Sequence, residues 1–583
     1  MKISLKSNVL IMSTSIIAIL TFCGCTNNIH DQKLVFAGFE NVQIEGELKV
    51  RLNKNFDRLE EELYQPQNLF WSEKESGGWP ADKEGRTILG LVLDARASHR
   101  SPKYLEQIIS MIPAHLNKKG YMGTIHSELI NEQQLSGHGW LLRGLNEYYE
   151  WTKDEKVLAI SKTIVDSLFI PITPYIKDYP ITEELRISGA GAMSGTIQNT
   201  TGKWAVSSDI GCIFIAMDGL IHAYKNNPNQ ASKSLINKLI QLFLKFDLIK
   251  IKAQTHASLT GMRGLIRYAE ITGDTTLINE VEKRWALFKE YGMTENYENY
   301  NWFGRYDTWT EPCAIIDSYL VAVQLWKNTG NTKYLEDAEK IYWNGICMTQ
   351  RANGGFGCDK CVGPSSNDIS VHAYEAHWCC TMRGGEGLAR TAEYSYFIRG
   401  DQILIPFYRK SSLELKYKDV SISQDTQYPF GNQITITMNK MPNKEITFLL
   451  FIPEYMKVKK LSLNGEAIDP LMVKSFLELK SKFNEGDQIV MEYALDNRWV
   501  APHSLDLQNS TLKKAMFGPL VLGYQSDKPA IFKSGAVILR TRESEFMIEG
   551  TDFKLKPLYH LLDPQVSDKT KYKSKVLFNL SDF

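Results

Sequence analysis

Residues 377–387 read HWCCTMRGGEG, two adjacent thiols in front of a helical pattern. Cysteine as a core residue usually occurs singly, and neighbouring cysteines are poorly placed for an ordinary disulfide. Upstream, Glu311-Pro312-Cys313 offers a third thiol and a carboxylate. Three sulfurs and one oxygen, from Glu311, Cys313, Cys379 and Cys380, are enough to hold a tetrahedral zinc ion. Donors one or two residues apart chelate one ion only from irregular backbone, since successive residues on a helix diverge by about 100°. Pro312 and the Gly384-Gly385 turn therefore put both pairs just ahead of helices. Zinc and the positive helix ends would together keep the thiols ionised near neutral pH.

Cys358-x-x-Cys361 forms a second pair with zinc-knuckle spacing. A separate structural ion, a share in the first donor set and a local disulfide are all open for it. Beyond residue 25 there are seven cysteines, an odd number that cannot all pair internally, and six of them fall from 313 to 380. That clustering reads as metal or nucleophile chemistry more than as stapling.

Positioning these donors is the task of a repeated theme between about residues 85 and 400. An apolar-periodic helix, a short polar turn and a second helix recur, with the first helices starting near 86, 138, 208, 256 and 311. The turns TGD (272–274) and TGN (329–331) carry glycine where a helix end needs a left-handed residue. Five or six such hairpins could stack as an open solenoid or close as an (α/α)6 toroid; the long glycine-rich insertions between them favour closure, with loops that shape one active face. Inner-helix N-termini converge on that face and bring His138, Asp209, His256, and Glu311 with Cys313, to equivalent points. Each of these taken alone is as well explained by capping or by a satisfied core histidine; their recurrence is what marks them. After about 400, short alternating runs such as QITITMN and QIVMEY, broken by YPFGN and NEGD, predict a β-sandwich over 401–500. Residues 501–583 extend it or form a second small β unit, which makes the chain α+β and multidomain.

Lys+Arg and Asp+Glu both number 67, so no global field favours nucleic acid. An aromatic content of 11% suits carbohydrate stacking and suits large aromatic cores equally well. The first 25 residues combine Lys2 and Lys6 with the apolar run VLIMSTSIIAILTF and end in CGC. This resembles a lipoprotein-type signal with Cys25 as the lipidated residue, although Phe22 stands where leucine is usual, and a plain secretory signal is the alternative. The expectation is an exported protein whose only membrane contact is that lipid anchor.

The glutamate-x-cysteine at 311–313, the vicinal pair 379–380, the hairpins and the trailing β region together resemble glycoside hydrolase family 127, the β-L-arabinofuranosidases. GYMGT at 120–124 and SGHGWLLRGL at 136–145 resemble early segments of the same family. The resemblance implies retaining, exo-acting hydrolysis with Cys379 attacking the anomeric carbon. It implies zinc on Glu311, Cys313 and Cys380 with Cys379 as the resting fourth ligand. It also implies a glutamate acid/base sixteen residues before Glu311, which is Glu295, with Glu298 close by as a rival. His138, Asp209, His256 and Arg383 are then the expected sugar contacts. The chain departs from the family at TMRGG after the cysteine pair, at Asn131 and at VSSD (206–209), and Arg383 is a cation of its own. Two other classes stay open: a polysaccharide lyase using His138, His256 and a tyrosine, and a non-catalytic glycan-binding lipoprotein with structural zinc.

Overall fold

The computed structural model describes residues 33–186, 194–525, 530–561 and 573–581; Cys25 lies outside them. Among the described residues six inner helices form the ring: α1 (Asp82–Ser98), α2 (Glu132–Thr152), α3 (Ile213–Asn226), α4 (Thr255–Thr272), α5 (Pro312–Thr329) and α6 (Cys380–Glu393). Each packs on the next and α6 packs back on α1, so the ring closes. Outer helices complete the hairpins, and the outer partner of α6 comes from the N-terminal side, Gly46–Leu59.

Local sequence sets the helix ends. The Asn131 side chain accepts from the Gln133 and Gln134 amides at 2.9 and 3.1 Å and opens α2. Pro312 stands in the first turn of α5. Gly273 and Gly330 take φ of 78° and 72°, closing α4 and α5 as the TGD and TGN turns predict. Inside the ring the helices approach so closely that only glycine fits at the crossings. A Cβ on Gly219 of α3 would lie 2.2 Å from the Gly139 carbonyl oxygen of α2, and one on Gly85 of α1 would lie 2.2 Å from the Leu141 amide.

A second inward layer lies within the ring, where side chains alternate in sign: Arg143 on α2, Asp218 on α3, Arg263 on α4, Asp317 on α5 and Arg383 on α6. Arg143 bonds Asp218 at 2.5 Å and Arg263 bonds Asp317 at 2.6 Å. Glu386 accepts from Arg143 and Arg263 at 2.7 and 2.6 Å. Each buried charge thus has opposite neighbours, as burial requires.

After the ring come two sheets of six and seven strands, whose alternating inward residues (Leu413, Ile422, Ile434, Phe448, Leu450) belong to one apolar core. Val35–Phe36 and Val42–Ile44 add a strand to each of these sheets, so the segment just ahead of the helical region is built into the β region. A third, eight-stranded sheet is made from residues 497–581.

Candidate active site

The N-terminal ends of the inner helices open on a cavity of about 420 Å³. Its floor holds the expected donors. The Sγ atoms of Cys379 and Cys380 are 3.2 Å apart, and those of Cys313 and Cys380 are 3.6 Å apart. One oxygen of Glu311 joins them, with all four donor atoms within 4.8 Å of one another. Sulfurs bound to one tetrahedral zinc at about 2.3 Å stand roughly 3.8 Å apart, so the set fits the ion with small adjustment. The charge argues the same way. Burial opposes ionisation of Cys313, yet hydrogen bonds from Cys379 and Cys380 and the nearby Arg86 pull its pKa well below the thiol range. Cys379 is pushed well up, first by its bond to Cys313, and Cys380 well up, first by burial. A dication among them would favour ionisation of all three.

Each donor is held from behind. The Arg86 guanidinium donates to Cys313 Sγ at 3.3 Å, grips Asp82 at 2.7 and 3.0 Å, and lies over the Trp140 ring at 4.3 Å. His256 Nδ1 is 3.1 Å from Glu311 Oε1. Burial lowers the His256 pKa, but Glu311, Cys313 and Asp317 outweigh it and raise the value overall. The Asn301 amide nitrogen faces Glu311 Oε2 at 2.8 Å while its oxygen accepts from Trp309 Nε1 at 3.1 Å. Trp71, Trp79, Trp309 and the exposed Trp378 line the cavity.

Asp209 also lines the cavity. Its Oδ1 accepts from the Gly195 amide at 3.1 Å and the Ser194 hydroxyl at 3.3 Å. Burial first and the Glu311 charge second raise its pKa to about 6.

Four expectations need correction. His138 does not reach the cavity: Nδ1 donates to Gln134 O at 2.7 Å, Nε2 accepts from the Met122 amide at 2.9 Å, and burial lowers its pKa to about 4. It is a neutral core histidine. Arg383 lies one turn into α6, fully buried, bound to Asp317 and Glu386 and 4.4 Å over Trp140. The departure TMRGG therefore runs down into the ring and not toward a sugar. Glu295 is fully buried and does not line the cavity. Its carboxylate accepts from Lys514 Nζ at 2.8 Å and from the Ser504 and His503 amides at 2.9 and 3.1 Å, all in the last β unit. Burial works against its ionisation, but Lys514 and His503 prevail and hold the pKa at about 2, so it carries no proton to give. Glu298 is likewise absent from the lining; burial and then Asp359 push its pKa well up.

The knuckle-spaced pair divides. Cys358 lines the cavity, while Cys361 turns away and donates to Asn299 O at 3.5 Å. Both are free thiols. Arg86, Gln254, Asn301 and the four tryptophans were not legible as cavity residues, though Asp82 and Arg86 stand at the i, i+4 spacing of an ion pair at the start of the first hairpin. A wider groove of about 710 Å³, lined by residues such as Glu47, Tyr342, Tyr428 and Gln433, has no comparable donor set among the described residues.

Residues 48–393 match the model of the beta-L-arabinofuranosidase GH127 catalytic domain, more than half of the chain. The chain belongs to glycoside hydrolase family 127. Residues 402–495 match the middle domain of the same family. A solved GH127 beta-arabinofuranosidase superposes with a TM-score of 0.69 at 15% identity, covering 94% of this chain and 98% of that one. A GH127 beta-L-arabinofuranosidase from Geobacillus stearothermophilus T6 does so at 0.68 and 15% identity, covering 93% and 100%. A search of the curated proteins finds no match. At this identity the superpositions speak for the fold, a helical toroid followed by β domains, and the family match makes this family 127 member a glycosidase.

Proposed function

We propose that the protein is a retaining, exo-acting glycosidase that removes a terminal L-arabinofuranose-like sugar with Cys379 as nucleophile. The observation that carries the reading is the convergence of three thiols and Glu311 on the floor of a tryptophan-lined cavity, with Cys379 the most exposed of the three. Zinc held by Glu311, Cys313, Cys380 and the resting Cys379 would supply the positive charge that keeps the thiols ionised and makes sulfur a better leaving group.

The chain's own residues then divide the work. Cys379 Sγ bonds the anomeric carbon as the carbon–oxygen bond to the leaving group breaks. Asp209, not Glu295, gives its proton to the departing oxygen. As a carboxylate it next takes a proton from water, whose oxygen bonds the carbon while the carbon–sulfur bond breaks. Two inversions give net retention. The support for Asp209 is its place in the cavity wall and a pKa of about 6, close to a working acid/base. The tryptophans offer apolar faces to the sugar, and Arg86 and His256 hold Cys313 and Glu311 in place.

Incubation with aryl and oligomeric β-L-arabinofuranosides tests this. The expected product is free sugar released first as the β anomer, followed by NMR. An unsaturated product absorbing in the near ultraviolet would instead support a lyase, whose proposed base His138 has both ring nitrogens engaged. Export and anchoring through Cys25 belong to the same proposal, supported by residues 2–25 of the sequence.

A further inference from the structure

The strand Cys358–Lys360 pairs with Asp368–Ala373, and its register slips between Cys358 and Asp359. Such a bulge breaks the alternation of a strand and re-aims side chains. Here two successive residues are both buried: Asp359 goes to Arg351 at 2.9 Å, and Cys358 goes to the cavity wall. Cys358 thus lines the same cavity as Cys379 and Cys380.

The backbone around Cys358 is fastened to both donor segments. Asp359 N donates to Thr310 Oγ1 at 2.9 Å and Thr310 N returns a bond to Asp359 O at 2.7 Å, one residue before Glu311. On the other side Phe356 N donates to Thr381 Oγ1 at 3.1 Å, and Ala376 N to Phe356 O at 2.8 Å. Cys358 therefore moves with the site, not beside it.

The mechanism above creates a need for such a thiol. Once Cys379 is bonded to a sugar carbon its sulfur is a thioether, a weak donor, and only Glu311, Cys313 and Cys380 remain as anionic donors. Resting on that reading, we propose that Cys358 is the alternate fourth donor, which takes the coordination place of Cys379 while Cys379 carries the sugar. The exchange would transfer no electrons: Cys358 would give up its thiol proton to water and offer a thiolate in the place that Cys379 vacates when its sulfur bonds carbon.

Cobalt(II) in place of zinc reads this directly, because its sulfur charge-transfer absorption grows with the number of bound thiolates. The full chain and the Cys379→Ala variant are expected to show the same absorption per cobalt. Adding Cys358→Ala to Cys379→Ala is expected to remove about one third of it and to weaken cobalt affinity at least about tenfold. Cys361→Ala, a neighbouring buried thiol, serves as the folding control and is expected to leave the spectrum unchanged. If Cys379→Ala alone lost that third and Cys358→Ala removed nothing more, the inference would fail while the thiolate site stood. A Cys358–Cys380 disulfide in the metal-loaded protein would overturn it as well. A full chain that bound no cobalt would overturn the metal–thiolate reading itself.

Discussion

Asp209 and Glu295 are both buried carboxylates, and their surroundings drive them in opposite directions. Asp209, desolvated beside Glu311, keeps its proton to about pH 6, whereas Glu295, gripped by Lys514, loses it near 2. The first chemical step needs a protonated acid, so kcat/KM on substrates with poor leaving groups should fall as pH rises through about 6; a pH–rate profile flat to pH 8 would remove Asp209 from that step. Asp209→Asn should lower turnover of such substrates by about 10²–10⁴-fold and that of nitrophenyl glycosides far less, since nitrophenolate leaves without help. Glu295→Gln should do the reverse. Breaking a buried ion pair costs about 3–5 kcal/mol in unfolding free energy, with kcat and KM left within about twofold. The sign for Glu295 is that of a lowered pKa: its contribution is fully present above about 4.3, the unfolded value, and is lost as pH falls toward about 2. Denaturant unfolding of wild type and variant across that range measures it.

At the scale of the helix, the sequence pattern carried the ring well. First helices read to start near 138, 208, 256 and 311 begin at Glu132, Ile213, Thr255 and Pro312. Periodicity and glycine-ended turns are local signals, and they survive any distance in the fold. Which face a polar residue takes is not local. His138 packs against the Tyr121–Met122 loop and Arg383 sits on the inward side of α6, and only these tertiary neighbours show that no cavity reaches them. One repeated signal does stand in the chain: LRGL (142–145), MDGL (217–220), MRGL (262–265), IDSY (316–319) and MRGG (382–385) put an alternating buried charge next to a small residue on successive inner helices. Glu295 was misplaced for a different reason. Its partners Lys514, Ser504 and His503 lie more than 200 residues further along the chain, and no local signal names them. The close crossings make their own prediction. Gly219→Ala must push α3 from α2, since its Cβ would fall 2.2 Å from the Gly139 carbonyl, and should cost about 1–3 kcal/mol in thermal or denaturant unfolding. An unchanged melting curve would mean that the ring gives way more easily than this packing implies.

For the molecule as a whole, the β units bear on the catalytic ring. Lys514, His503 and Ser504 of the last unit fix the segment that leads into Glu311, and Thr310 holds the strand that carries Cys358. Such long-range ties leave no trace in local sequence, which is why the donor set could be read from cysteine spacing but its support could not. The N-terminal segment is read from sequence alone: Cys25→Ala should move the protein from the membrane to the soluble fraction and abolish incorporation of labelled fatty acid, and continued labelling would place the anchor elsewhere. The central claim is that a thiolate, not a carboxylate, attacks the sugar. Turnover of Cys379→Ser on an aryl β-L-arabinofuranoside, with zinc content measured in the same sample, tests it most directly. Metal should be retained and kcat lowered at least about a thousandfold; a zinc-loaded variant that keeps wild-type turnover would mean that Cys379 is not the nucleophile.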